Sequence, residues 1–215
     1  MSDTGREAII DTDFFNKITQ APNIPYGKDL FIRTMDELGV QPVVHYYLAE
    51  RELQVDNPIA TELLDSGYLK VYYKEDIVTN ADSVELYKQY FRKWYNYLNV
   101  NKPRLEKEVD IFNLHRAKHS LGEIHSTLMA YFMDLDVIMS DDSDAKELVD
   151  YAALTQINVL DLVDVYSYIA TKEEKYITLD EVENVIRCEN SKDSIKLKRI
   201  KKERFKKVKE IWLPT

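Results

Sequence analysis

Apolar residues fall along this chain in blocks that switch between a strand-like and a helix-like period. Ala8, Ile9 and Ile10 form an unbroken apolar run closed by Asp11, which predicts a buried strand; Phe14, Phe15 and Ile18 follow at helical spacing. Pro22 and Pro25 interrupt the chain, and a helix over about 28–38 is stopped by Gly39. Pro42 suits a first helical position, where a missing N–H costs nothing, so a helix is expected from there to about Leu53. Pro58 to Leu64 predicts another, ended by Gly67, and Leu69 to Tyr73 is rich in strand formers. Tyr87, Tyr90, Phe91, Trp94 and Leu98 make an aromatic stripe at helical spacing, read as core rather than as a base-stacking surface. Helices are expected over about 104–114 and from Leu121 through Leu128, Met129 and Phe132. Val137–Met139 predicts a strand, Ala145 to Val149 a helix, Asn158–Leu160 the last strand and Leu162 to Ile169 the helix after it. Thr178 and Glu181 form a capping-box pattern. A long terminal helix places Ile195, Ile200, Phe205, Val208 and Ile211 toward one side.

Strands that alternate with helices imply an α/β fold, here a three-layer α/β/α sandwich around a short parallel sheet of about four strands. The expected organisation is a domain over 1–170 with a helical insertion around 76–120, then a helical extension over 171–215. In such sheets ligands bind at the carboxyl ends of the strands. Asp11 closes the first strand, and Asp141 and Asp142 close the third. Each alone reads as a turn residue or a helix N-cap. Their shared placement on one sheet edge raises the functional reading.

Composition narrows the chemistry. The chain has 215 residues, enough for one α/β domain with an appendage, and 45% hydrophobic and 31% charged residues, which describes a globular protein. Its five glycines are scattered, which excludes the clustered glycines of a P-loop or a dinucleotide fingerprint. The lone Cys188 excludes a multi-cysteine zinc site. No basic start with an apolar run opens the sequence, and no stretch is apolar enough for a membrane span, so a cytoplasmic protein without membrane association is expected. The net charge is −9, unevenly spread. Ten basic and three acidic residues lie from Lys192 to Glu210, leaving 19 basic and 35 acidic residues, or −16, in the rest. A body this acidic repels nucleic acid, so the basic end either folds back on it or binds a phosphate backbone; the first is preferred.

Four motifs in order carry a family resemblance: Ile9-Ile10-Asp11-Thr12-Asp13; Glu52-Leu53 late in a helix; Leu121-Gly122-Glu123 opening a helix that reaches Leu128-Met129-Ala130; and Val137-Ile138-Met139-Ser140-Asp141-Asp142. The set resembles the PIN domains, a family of metal-dependent ribonucleases that includes many bacterial toxin nucleases, over about residues 7–170. The branch it is most similar to carries Gly-Glu ahead of the helix and Asp-Asp after the next strand. The resemblance implies a catalytic site of Asp11, Glu52, Glu123 and Asp142, with Asp141 beside it as a further metal ligand. Glu52 is preferred to Glu50 because the family pattern places its acid before leucine. It also implies RNA as substrate, and it admits an inhibitor or antitoxin-like protein and a second copy of the chain as partners.

Four or five carboxylates at one edge raise each other's pKa, and a divalent cation removes that conflict. An all-oxygen donor set suits Mg²⁺ or Mn²⁺, which would activate water for attack on a phosphodiester without a side-chain nucleophile. Arg116, Lys118 and His119 are the candidate phosphate contacts. His115, His119 and His125 crowd around Glu123, and His115 with His119, four apart, offers a less favoured zinc pair. Two other readings remain open. Asp11-Thr12-Asp13 with Ser140-Asp141-Asp142 also suits an aspartate-nucleophile phosphatase, although Phe15 stands where that family has threonine or valine. The third is a catalytically silent PIN-like binding module.

Overall fold

The computed structural model describes residues 6–21, 23–53, 57–116, 119–187 and 195–213. Lys118 and Cys188 lie outside the described residues. The fold is α/β: a five-stranded, all-parallel sheet in the order β3-β2-β1-β4-β5, between two layers of helices. The strands are β1 (Arg6–Ile10), β2 (Val40–His45), β3 (Lys70–Tyr72), β4 (Val137–Met139) and β5 (Asn158–Leu160). Along the chain, α1 (Thr12–Thr19) and α2 (Gly27–Leu38) join β1 to β2. After β2 come α3 (Tyr46–Leu48), a wider π-helical turn (Ala49–Leu53) and α4 (Pro58–Asp65). Between β3 and β4 lie α5 (Lys74–Ile77), α6 (Ala81–Leu98) and α7 (Leu121–Met133). Then α8 (Ser143–Tyr151) leads to β5, followed by α9 (Leu162–Ala170), α10 (Leu179–Ile186) and α11 (Ile195–Trp212). The helices α1, α2, α9 and α10 pack with one another on one side of the sheet, and α6, α7 and α8 do so on the other.

Local chemistry explains the punctuation. Gly39 ends α2 with φ 67°, a left-handed conformation that costs glycine least. Asn57 accepts from the Ile59 N–H ahead of Pro58, and Thr178 and Glu181 close the expected capping box of α10. The aromatic stripe of α6 is core as expected: Tyr87, Phe91 and Trp94 are buried. Among the described residues no helix is long and apolar enough to cross a membrane.

Three expectations need correction. The sheet has five strands, because Pro42 lies in β2 rather than at a helix start, opposite Ala8 of β1. A proline is tolerated there because β3 pairs with β2 only from Val43 onward, leaving that stretch of β2 with a strand on one side. No helix forms over 104–114. The Asp110 carboxylate accepts from the Phe112 N–H, Asn96 accepts from the Leu105 N–H, and the irregular segment buries Leu105, Ile111, Phe112 and Leu114. The insertion around 76–120 is therefore one long helix followed by a packed irregular segment. In α11 only Phe205 and Val208 are buried, whereas Ile195, Ile200 and Ile211 are exposed. The inward stripe runs through Arg204, Phe205 and Val208 to the half-buried Trp212, at 3–4-residue spacing. The helical extension packs on the domain, as expected: Val182, Val185, Ile186, Phe205 and Val208 belong to the same hydrophobic core as the sheet.

Candidate active site

The strand order reverses between β1 and β4, which places a topological switch point at their carboxyl ends. The ladder extends just past both strands: the Asp11 N–H donates to the Met139 carbonyl (2.9 Å), and the Ser140 N–H donates to the Leu160 carbonyl (3.1 Å). Asp11 and Ser140 thus leave the sheet side by side, and the Ser140 hydroxyl donates to the Asp11 carboxylate at 3.0 Å. Asp11 stands at the N-cap of α1, yet its side chain makes no cap hydrogen bond. The usual structural reason for an aspartate there is absent, and the carboxylate is instead buried at the switch point, 4% exposed.

Glu52 arrives from the π-helical turn, where the widened backbone re-aims side chains. It accepts from the Thr12 hydroxyl at 2.8 Å, which fixes it beside Asp11; Glu50 is exposed. Glu123 lies in the first turn of α7. Gly122 before it explains the Gly-Glu pair: a Cβ at Gly122 would stand 2.8 Å from Leu48 Cδ2 and 3.4–3.5 Å from the Glu52 carboxylate oxygens. The missing side chain lets the β2-side helix and its acid approach α7. Asp142 caps α8, its Oδ1 accepting from the Asp144 N–H at 3.0 Å, so for this residue the structural role is real.

Glu52, Glu123 and Asp142 line one cleft of about 420 Å³ together with Tyr47, His115, Arg116, His119, Ser120 and Leu121. Asp11 is buried and does not line the cleft itself, but it lies close enough to feel the charge of Glu52 and to act on Glu123. Burial, then repulsion from Glu52, raises Asp11 to about 7; burial, then Asp11, Asp142 and Glu52, raises Glu123 to about 8. Burial also raises Glu52, against the Thr12 hydrogen bond and His115. Among the described residues none of the four makes an ion pair with lysine or arginine. Such a set of crowded oxygens, short of positive charge, has the chemistry of a hard-cation site. As the side chains stand, no group of three among the described residues is already drawn together as an ion cage.

The other predicted residues divide. Asp141 belongs to a different network: its side chain, 2% exposed, takes Lys17 (2.6 Å) and a bidentate Arg204, and it accepts from the Leu162 N–H. Burial alone would raise Asp141, but the hydrogen bonds and charges of Arg204 and Lys17 hold it below the ordinary carboxylate range. It cannot serve as a ligand while both oxygens are so engaged. Arg116 and His119 do line the cleft and share one anchor, the Tyr95 hydroxyl, at 3.0 and 2.7 Å. His125 does not join them. It is fully buried on the other side of α7, hydrogen-bonded to Tyr87, which in turn meets His45. The three-histidine crowd therefore resolves into two cleft residues and one core residue. Asp13 is held by Lys17 and, like Asp11, is not part of the cleft lining.

Sequence reasoning missed Thr12, Ser140 and Tyr95, the residues that hydrogen-bond Glu52, Asp11, Arg116 and His119. Thr12 and Ser140 adjoin predicted acids and were findable by asking what would hold them; Tyr95 follows Trp94 of the aromatic stripe and carried no signal of its own. Comparison with known protein families, with curated proteins and with solved structures finds no match to this chain.

Proposed function

We propose that this protein is a Mg²⁺- or Mn²⁺-dependent phosphodiesterase that cuts RNA. One observation carries the reading: three acids from separate segments, Glu52, Glu123 and Asp142, line one cleft beside the buried Asp11, and among the described residues none of the four has a cationic partner. An acidic cluster with no counter-charge is unfavourable unless an ion completes it. The PIN-type motif order supports the same conclusion.

When bound, a divalent ion supplies an acidified water and stabilises charge on the phosphate. The chain's own residues do the rest. Asp11, Glu123, Glu52 and the second oxygen of Asp142 would hold the ion. The Ser140 and Thr12 hydroxyls keep Asp11 and Glu52 in fixed rotamers by donating to them. Burial and mutual repulsion raise both Asp11 and Glu123, so an ion that binds there would displace a proton. Arg116, aligned by the Tyr95 hydroxyl on the cleft wall, offers its remaining N–H groups to a phosphate oxygen.

The test is purified protein given labelled RNA and a chromogenic phosphate monoester side by side. The expected result is RNA fragments with Mn²⁺ or Mg²⁺ and none with EDTA. Monoester turnover should be negligible, and RNA cutting should fall at least about 100-fold in folded Asp11→Asn and Glu123→Gln. Monoester hydrolysis without RNA cleavage would overturn the reading in favour of the aspartate-nucleophile phosphatase. Inertness toward both substrates would favour the silent binding module.

A further inference from the structure

The α11 helix is anchored at the edge of the sheet that carries the candidate site. Arg204 grips Asp141, the residue immediately before Asp142, and also reaches Asp161 at the carboxyl end of β5 (3.4 Å). With Phe205 and Val208 buried beneath it and Trp212 half-buried, the helix turns its opposite side outward. That outward side is cationic. Lys196, Arg199, Lys202, Lys206, Lys207 and Lys209 are all exposed, against Glu203 and Glu210. Arg199, Lys202, Lys206 and Lys209 recur at spacings of three and four, so they share one stripe. The stripe spans eleven residues, ~15 Å of helix. Among the described residues, Lys206 is paired only loosely with Glu210 (3.8 Å), and Arg199, Lys202 and Lys209 make no ion pair.

A lysine-rich helix that had merely folded back would spend its charges on the acidic body. Here Arg204 does that, and the outward row of Arg199, Lys202, Lys206 and Lys209 stays exposed to solvent. The remainder of the chain, by contrast, carries −16 and repels a polyanion from the acidic cleft. We propose that the outward stripe of α11 is the docking surface for the phosphate backbone of the RNA substrate, holding the strand beside the Asp11–Glu123 cleft against the repulsion of the body. The proposal rests on the nucleic-acid reading of that cleft. It assigns the stripe sequence-independent affinity, because Lys and Arg contacts to phosphate carry no base information.

The experiment is fluorescence anisotropy of a labelled single-stranded RNA with the full chain in EDTA, titrated with KCl from about 50 to about 200 mM. The parent is compared with a triple variant carrying Arg199→Gln, Lys202→Gln and Lys209→Gln. These side chains are exposed, and an unchanged melting temperature checks that the variant folds. The expected result is at least a tenfold weaker Kd at the low-salt end. The slope of log affinity against log salt should fall by about 2, since each lost single-strand phosphate contact removes ~0.7. Mn²⁺ binding by calorimetry should match the parent. Equal RNA affinity and slope in parent and variant would overturn the proposal, as would a parent that binds no RNA. Competition by polyglutamate as effective as by unlabelled RNA would also overturn it, because the stripe would then be a site for acidic protein. A parent that binds RNA through the stripe yet never cuts it with metal would sink the catalytic reading and leave the docking surface standing. A parent that cuts RNA while the triple variant cuts and binds equally well would do the reverse.

Discussion

Two aspartates that look alike in sequence behave differently at their helix ends. Asp142 spends an oxygen on the Asp144 N–H, whereas Asp11 makes no cap bond and is held in a buried cluster by Ser140. Asp11→Asn should therefore separate stability from function. The amide keeps an oxygen for the Ser140 hydroxyl and removes a buried charge, so at pH 8 in EDTA the melting temperature should rise, by the equivalent of about 1–2 kcal/mol. Mn²⁺ affinity by calorimetry should fall at least about tenfold; equal Mn²⁺ binding would show that Asp11 is not a ligand. Gly122 gives a second residue-scale test. Alanine gains roughly 0.5–1 kcal/mol of helix propensity, and its Cβ meets only the movable tip of Leu48 closely, so Gly122→Ala should melt within a few degrees of the parent. Gly122→Val adds two methyls toward Glu52 and should weaken Mn²⁺ binding while the protein stays folded. Both acids and the glycine were visible in the sequence as motifs. The hydroxyls of Thr12 and Ser140 stood in the same motifs, but no local pattern says that Thr12 meets Glu52 and Ser140 meets Asp11 across the sheet.

At the scale of elements, what the sequence revealed depended on whether local preference and tertiary context agreed. The short runs at β1, β4 and β5 and the capped helices α4, α9 and α10 were legible because turn residues, caps and apolar period pointed the same way. The strand β2 was not, since Pro42 reads locally as a helix start and only the register with β1 and β3 shows why a strand tolerates it. Over 104–114 a helix-like composition lost to side chains that bind the backbone and to burial over α6. In α11 the apolar residues spaced by five read locally as one side, but the buried stripe admits Arg204 because Asp141 and Asp161 receive it. That ion-pair network makes a sharp prediction. Arg204→Gln leaves the buried Asp141 with Lys17 alone, so unfolding by urea should show a loss of about 1–3 kcal/mol. Removing residues 195–215 should cost more, because it also uncovers the core around Phe205 and Val208. A truncated chain with the parent's melting temperature would mean that α11 does not pack as described.

Charge organises the whole molecule into a buried acidic cluster, a neutral histidine core and a basic outer helix, and the first two set opposite pH dependences. Asp11 and Glu123 have folded pKa values raised above those of the unfolded chain, so their share of stability is present in acid and lost as pH rises through about 7 and about 8. Burial lowers His45 well below its ordinary value, with His125 adding to the effect, and lowers His125 itself to about 3. Folding forces both to remain neutral, so they cost stability only as pH falls below ~6.5, where the unfolded imidazoles gain protons. Below that point the two histidines and the two acids pull in opposite directions and largely cancel. Above it the histidines are neutral in both states and the acids act alone. In EDTA, urea unfolding should therefore show stability falling between about pH 6.5 and pH 8. Mn²⁺ should restore it at pH 8 by binding the folded state alone, and Asp11→Asn combined with Glu123→Gln should flatten the slope. A parent whose stability in EDTA stays level or rises over that interval would mean that the acids already have a counter-charge, and the case for a cation at the switch point would fall with it.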